Sequence, residues 1–451
     1  VNSTESVVFS SIVYYDSAGA IIGIRENSMR IRWVLWLAAV ALLGVSAYAV
    51  IQEGNQSDLL KAADEMIQVT ARLRGLQPKA PIARGVKTRE EITQYLNEQI
   101  HNNYSEGELQ QEGKVLRTFG LIPASMDYRE FVLKLLSEQV AGFYDPERKT
   151  FFIASWLSAA EQQPVMVHEL DHALQDQYFD ISRIMKEDRR QHNDDKAMAH
   201  ESLFEGDATV VMLNQVLEPV KRTFADLPDL APAMGALLAS MQSQFPVFKS
   251  APPFLQETVF FPYGHGASFI QKMWAQNPSW ESINKIYSDL PSSTEQIIHP
   301  EKYSGNRDEP KPVDAEELAA SLGNDWRVTY KNVLGEFSLY LVLNLHLSEE
   351  RARRSAAGWG GDQILLLENG AGDNAVLVRT VWDTAEDAAE FFQSMQVWFQ
   401  HRFPLGRKSQ EPATRVVVTS EKEVEILHQE GSEVRFIIGL PEPEAKKLSG
   451  F

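Results

Sequence analysis

Pro164-Val-Met-Val-His-Glu-Leu-Asp-His-Ala-Leu-Gln-Asp-Gln177 is the stretch on which the reading of this chain turns. It contains H-E-x-x-H from His168 to His172. Proline suits the first position of a helix, and Val165, Met166, Leu170, Ala173 and Leu174 supply a packing surface. The segment is therefore expected to be helical from Pro164 to about Gln177. Four residues of helix bring His168 and His172 to one face. Two neutral imidazoles at that spacing bind one Zn2+ ion, and Glu169, next to the first ligand, can reach a metal-bound water. The metal lowers the pKa of that water towards about 7, and the glutamate takes its proton.

A catalytic zinc takes three protein ligands and keeps one position for water. The chain has no cysteine, which excludes thiolate ligands, disulfides, iron–sulfur clusters and a cysteine nucleophile. The third ligand must then be a histidine or a carboxylate. Ala199-His-Glu-Ser-Leu-Phe-Glu-Gly-Asp-Ala-Thr209 lies in a segment with helical spacing, Lys196 to about Val216. Glu205 is the preferred ligand, because the small residues around Gly206 and Ala208 would let this helix approach the metal helix closely. Glu201, one turn earlier on the same face, stays open as the alternative, and His200 as a weaker one. Asp171 reads as exposed or supporting, and His299, before Pro300, as a loop brace.

Around these motifs the pattern is mostly helical. Helices are expected at Ser57–Arg74, from a capping box at Thr88–Glu91 to about His101, and at Phe131–Val140. A Pro/Gly-containing linker separates the first two. Gly142 to Ala154 places two β-rich runs around Asp145-Pro146 and reads as a hairpin. Further helices are expected near Ala233 and at Gly266–Ala275, Ser279–Asp289 and Trp326–Leu347. After Gly358-Trp-Gly-Gly-Asp362 come five short strand-like runs and one helix, Ala385–Gln400. The fold class is thus α+β and predominantly helical. Residues 52–354 form the domain that carries the metal motif, and 355–451 a small α+β layer.

Trp33 to Ile51 is uncharged, with Arg25, Arg30 and Arg32 before it. It reads as a membrane anchor oriented positive-inside, or as a signal segment starting at Met29 and cut after Ala49. Either way residues 52–451 are exported, and 1–28 are an unstructured leader. The net charge is −19, from 43 Lys+Arg against 62 Asp+Glu, and there is no basic stripe, so nucleic acid is not an expected partner.

The pair formed by His168–His172 and Glu205-Gly-Asp-Ala208 resembles the gluzincin peptidases, the clan of thermolysin and aminopeptidase N. Phe204 stands where that clan often has asparagine. The chain is more closely similar to a group of bacterial metallopeptidases carrying H-E-L-x-H-A-L-Q-D-Q and E-G-D-A-T, here His168–Gln177 and Glu205–Thr209. The similarity extends to Phe261–Gly266, Ser293–Tyr303 and Gly358–Asp362. It implies a zinc-peptidase fold, with Zn2+ as cofactor and a peptide or protein as substrate. It also implies an edge strand beside the metal helix to hold the substrate backbone, for which Thr150–Ala154 is the candidate. A tyrosine or histidine donor to the oxyanion is implied as well. Tyr263 and His265 lie in a glycine-flanked turn expected to enter a helix, and Tyr263 is preferred.

The function expected from the sequence is that of a zinc-dependent hydrolase, a peptidase with Glu169 as general base. The alternatives are a catalytically inactive scaffold of the same fold and a zinc amidase acting on a non-protein amide. The absence of a G-x-S-x-G elbow disfavours a serine esterase.

Overall fold

The computed structural model describes residues 56–103, 107–139, 142–188, 190–232, 245–409, 414–420 and 423–445. The leader, the anchor or signal segment and the helix expected near Ala233 lie outside the described residues. Among the described residues, no helix is long and apolar enough to cross a membrane.

The described residues open with α1 (Gln56–Arg74), which buries Leu59, Ala63, Met66 and Arg74 along one face. The following linker is not all loop: it contains β1 (Ala83–Lys87). Thr88 and Glu91 exchange capping bonds of 2.7 and 3.2 Å to start α2 (Arg89–Asn103). Helices α3 (Glu108–Phe119) and α4 (Tyr128–Gln139) lead to the hairpin of β2 (Gly142–Asp145) and β3 (Thr150–Ala154). β3 pairs antiparallel with β2 and parallel with β1, giving a three-stranded sheet in the order β1-β3-β2. Thr150–Ala154 is therefore the central strand. Both of its edges are hydrogen-bonded, and it cannot accept a peptide. The edge strand beside the metal helix is β2.

The helix that carries H-E-x-x-H, α5, runs from Ala159 to Phe179. Ser158 and Glu161 form a capping box that fixes its start upstream of Pro164, which lies inside the helix rather than at its first position. After α6 (Ile181–Asp188), Asn193 caps α7 (Asp194–Leu217) by accepting the Lys196 N–H at 2.9 Å. α8 spans Pro253–Gln276 with Pro262 inside it, so Phe261–Gly266 is helical, not a turn. α9 (Trp280–Ile286) and α10 (Thr294–Ile298) complete the helical layer.

Trp326–Leu347 divides in two: β4 (Trp326–Asn332), then α11 (Gly335–Asn344). The run Trp326-Arg-Val-Thr-Tyr330 is rich in aromatic and β-branched residues, which suit a pleated surface. Gly335, at φ 72°, makes the change of direction that a residue with a Cβ rarely adopts. α12 (Glu349–Ala356), β5 (Trp359–Asn369), β6 (Asn374–Trp382), α13 (Ala385–Arg402), β7 (Arg407–Ser409), β8 (Arg415–Thr419), β9 (Glu423–Glu430) and β10 (Glu433–Pro441) follow. The strands form one antiparallel sheet in the order β4-β5-β6-β10-β9-β8-β7. Successive residues alternate between its faces. Val376 and Val378 join the core under α13, whereas Ala375 and Leu377 pack under Ala315, Ala319 and Leu322. The core under α13 is continuous with the helical layer through Phe261, Phe337 and Trp359. The sheet thus begins at β4, before residue 355, and shares a core with the helices.

Candidate metal centre and catalytic cleft

Helices α5 and α7 pack against each other and bring three side chains to one point. His168 Nε2 lies 2.9 Å from Glu205 Oε2, His172 Nε2 lies 3.2 Å from His168 Nε2, and His172 Nε2 lies 3.4 Å from Glu205 Oε2. In a tetrahedral zinc site, donors about 2.0–2.2 Å from the ion stand about 3.3–3.5 Å from one another. Two imidazole nitrogens and one carboxylate oxygen are a zinc donor set; two of the three spacings, 2.9 and 3.2 Å, are shorter than that and would open slightly around an ion, leaving a fourth position free. The donors fit the ion. Charge points the same way. Burial works against protonation of His172, yet Glu205 and Glu169 raise it to about 10, so the triangle favours a positive charge at its centre.

The residues around the motif hold it in place. Gln175 donates its amide to Asp171 at 2.8 Å and to the Phe204 carbonyl at 3.0 Å. Its oxygen, 3.1 Å from His172 Nδ1, is then an acceptor, so Nδ1 carries the proton and Nε2 keeps its lone pair for a ligand bond. Asp171 is fully buried in this support role and is not exposed. Asp176 accepts the Tyr144 hydroxyl at 2.8 Å and Lys149 Nζ at 2.5 Å, which ties the hairpin to α5. Gln177 binds the main chain of Lys79 and Ala80.

Behind the triangle, Arg74 of α1 is completely buried. Its Nε and Nη2 donate to Asp207 at 2.9 Å, and Nη2 also reaches Asn284 at 2.8 Å. Tyr287 donates to the same Asp207 at 2.8 Å, and the guanidinium lies 4.5 Å from the centre of the Trp280 ring. Burial of such a charge is tolerated only when it is paired and hydrogen-bonded. Asp207 is two residues from Glu205, so this cluster fixes the third donor from behind.

Glu169 Oε2 accepts the main-chain N–H of Tyr144 at 2.9 Å. Burial raises its proton affinity against the pull of His172 and His168, as suits a group that takes up and releases a proton. The Tyr263 ring stacks on His168 at 5.8 Å between centroids. Glu205, burial, Glu169 and Glu201 together hold its phenol protonated well above its usual range. It therefore stays a hydrogen-bond donor facing the triangle. The approach of α8 that puts it there is made by Gly206 and Gly266. A Cβ on Gly206 would fall on the main chain of Gly266, and one on Gly266 on the carbonyl of Ser202. Gly206 thus serves the α7–α8 crossing rather than an approach to the metal helix.

His265, two residues on, does not join the cluster. It stacks on Phe261 at 4.6 Å, and burial, with Arg353 and Lys272 nearby, lowers its pKa to about 4. His200 also points away, bonding Asp188 at 2.8 Å. Glu201 lies near the triangle but outside it. His299 braces Glu336 at 3.0 Å. A second acidic group, Glu295, Asp308 and Asp383, already surrounds an ammonium: Lys302 Nζ lies 2.6, 3.0 and 2.8 Å from them. Sequence reading missed Arg74, Gln175 and the Tyr144 N–H. Only Gln175, three residues after a histidine on a helix, left a local signal.

Residues 326–449 match a family model described as "Domain of unknown function (DUF8575)". The match spans β4 to β10 with α13 and does not include the metal triangle. No curated protein matches the chain. A solved structure from Chloroflexus aurantiacus, "a putative hydrolase with a novel fold", aligns over 60% of this chain and 96% of its own, with 16% identity and a TM-score of 0.36. A likeness of that depth carries no argument about the fold or the chemistry of this chain.

Proposed function

We propose that this chain is a zinc-dependent hydrolase that cleaves peptide bonds. The observation that carries the reading is the triangle of His168 Nε2, His172 Nε2 and Glu205 Oε2, with Glu169 and Tyr263 beside it. His168, His172 and Glu205 would hold the ion; when bound, zinc supplies a Lewis acid that polarises the carbonyl and eases deprotonation of water. Glu169 takes the proton of the attacking water and returns it to the leaving amine. The Tyr144 N–H holds one of its oxygens and leaves the other for that proton. The Tyr263 hydroxyl donates to the oxygen that gains charge in the tetrahedral adduct. Within an antiparallel pair, the N–H and C=O of one residue point to the same side. The Tyr144 carbonyl therefore faces the same way as its N–H and is available to a substrate main chain. The basic-flanked apolar run Trp33–Ile51 supports action outside the cytoplasm.

The test compares wild type with His168→Ala and Glu169→Gln. Wild type is expected to hold one zinc per chain by metal analysis and to cleave a peptide library. His168→Ala should lose both. Glu169→Gln should keep the metal while turnover falls by about 100-fold or more, the scale of lost general-base assistance. Undiminished cleavage by Glu169→Gln contradicts the mechanism. Zinc binding with no cleavage of any peptide favours the scaffold or amidase alternatives.

A further inference from the structure

From Ala199 to Asn214, α7 is buried at every position except two. Glu205 is partly open to solvent, and Glu201 is exposed. One turn apart on one face, these two residues are the window of a buried helix. The neighbouring helices open at the same place: Glu169 is only partly buried on α5, and Tyr263 is 37% exposed on α8. Four side chains from three helices are therefore open to solvent around the triangle. Three of them have roles in the reading above. Glu201 does not.

Its surroundings distinguish Glu201 from an ordinary surface glutamate. Among the described residues its carboxylate makes no hydrogen bond and no ion pair, in contrast to those of Glu205, Asp171 and Asp207. It is too far along α7 to cap the helix start. The charges acting on it are Glu205 and His172, and those acting on Tyr263 are Glu205, Glu169 and Glu201. No lysine or arginine is among them. The atoms packed around it and the Glu205 carboxylate push its carboxyl up to about 7, against the pull of His172. A divalent ion at the triangle would balance two carboxylates, and Glu205 and Glu169 are those two. Among the described residues, the third forms no ion pair with a lysine or arginine.

We infer that Glu201 is the specificity residue of this cleft and that it selects a substrate carrying a positive charge, an ammonium or guanidinium, next to the bond that is cut. The inference rests on the hydrolase reading for the position of that bond, but not for the presence of the charged subsite. A cation seated beside the triangle pairs with Glu201 through a charge-assisted bond. An acidic residue at the same position meets three carboxylates and is rejected. Two sources supply the ammonium: a lysine side chain or a free chain terminus.

The experiment uses the full chain loaded with zinc and four peptides of one sequence. A central lysine or norleucine is combined with a free or acetylated N-terminus. Affinity is measured by calorimetry on wild type and Glu201→Gln, and cleavage is followed in parallel. The cationic member of one pair is expected to bind wild type about tenfold more tightly than its neutral partner, and less than about twofold more tightly in Glu201→Gln. A contrast between lysine and norleucine in the acetylated peptides assigns the charge to a side chain. A contrast between free and acetylated norleucine peptides assigns it to the terminus. Equal affinities in wild type, a preference that survives in Glu201→Gln, or binding of none of the four overturns the inference. Unchanged binding of the acetylated norleucine peptide shows that the variant is folded. A charge preference that depends on Glu201, without cleavage of any peptide, leaves the subsite standing and overturns the hydrolase reading instead.

Discussion

Gly206 and Gly266 meet main chain against main chain, where α7 crosses α8 with no room for a Cβ on either. This contact sets the height of Tyr263 above Glu205. A methyl group there pushes two helices apart instead of filling space. Gly206→Ala and Gly266→Ala are each expected to destabilise the protein by about 1–3 kcal/mol or more, the usual scale of overpacking. Urea denaturation measures the loss. A neutral Gly206→Ala would mean that the crossing has slack.

Tyr263 and His265 separate cleanly by mutation. Tyr263→Phe removes the donor and leaves the stacked ring, so kcat should fall by about 10- to 1,000-fold with KM little changed. His265→Ala deletes a ring stacked on Phe261, and is expected to lower the melting temperature while kcat stays within about twofold. The reverse pattern would exchange their roles.

Arg74 and Asp207 form an ion pair with both side chains fully buried. Arg74→Met leaves an unpaired carboxylate in the interior and is expected to cost about 3–5 kcal/mol. Zinc affinity should fall with it, because Asp207 follows Glu205 so closely. Arg74→Met combined with Asp207→Asn removes the stranded charge and should recover part of the loss. Thermal melts and zinc titration of the three variants check this; if the double variant is no better than Arg74→Met, the stranded charge is not the cause.

The pH dependence of stability has a definite sign. Asp195 accepts the Thr294 N–H at 3.1 Å, and burial raises its carboxyl from 3.8 to about 7. Asp362, which accepts the N–H groups of Leu334 and Gly335 at 2.8 Å, is raised by burial to about 6. Between the unfolded and folded values, the native state holds protons that the unfolded chain has released. Their contribution is complete below about pH 4 and is lost as pH rises through 6 and 7. Urea midpoints should therefore fall from pH 5 to pH 8. Each such proton adds at most about 1.4 kcal/mol per pH unit to that slope. Asp195→Asn keeps an acceptor for Thr294, and its profile should be flatter; an equally steep one would place the titration elsewhere.

The juxtaposition of the candidate ligands was legible because their geometry is local. Helical spacing alone puts His168 beside His172, and the Glu-Gly-Asp-Ala sequence drew attention to Glu205. Tyr263 was legible as a residue type, but its element was misread, because Pro262, Gly264 and Gly266 look like a turn, whereas all three lie inside α8 and Gly266 is its close contact with α7. Arg74 was not legible. Its partner is 133 residues away, and nothing in a helix end marks an arginine that will be buried. β1 was missed for the same reason, since its parallel partner β3 is distant in sequence. β4 was read as helix because the helical period of α11 was extended backwards through an aromatic and β-branched run.

The bond from the Tyr144 amide to Glu169 comes from the backbone, and it hides from the commonest way of mapping an enzyme. Replacing Tyr144 with alanine, phenylalanine or any other residue that has an N–H leaves the bond in place; such variants report only the ring and its hydroxyl on Asp176. A scan of side chains along the hairpin would therefore judge this strand irrelevant to the proposed proton chemistry. Only proline, which lacks the N–H, or an amide-to-ester exchange at that linkage takes the donor away. The ester is the gentler probe, because it exchanges the N–H for an oxygen and keeps the shape of the strand.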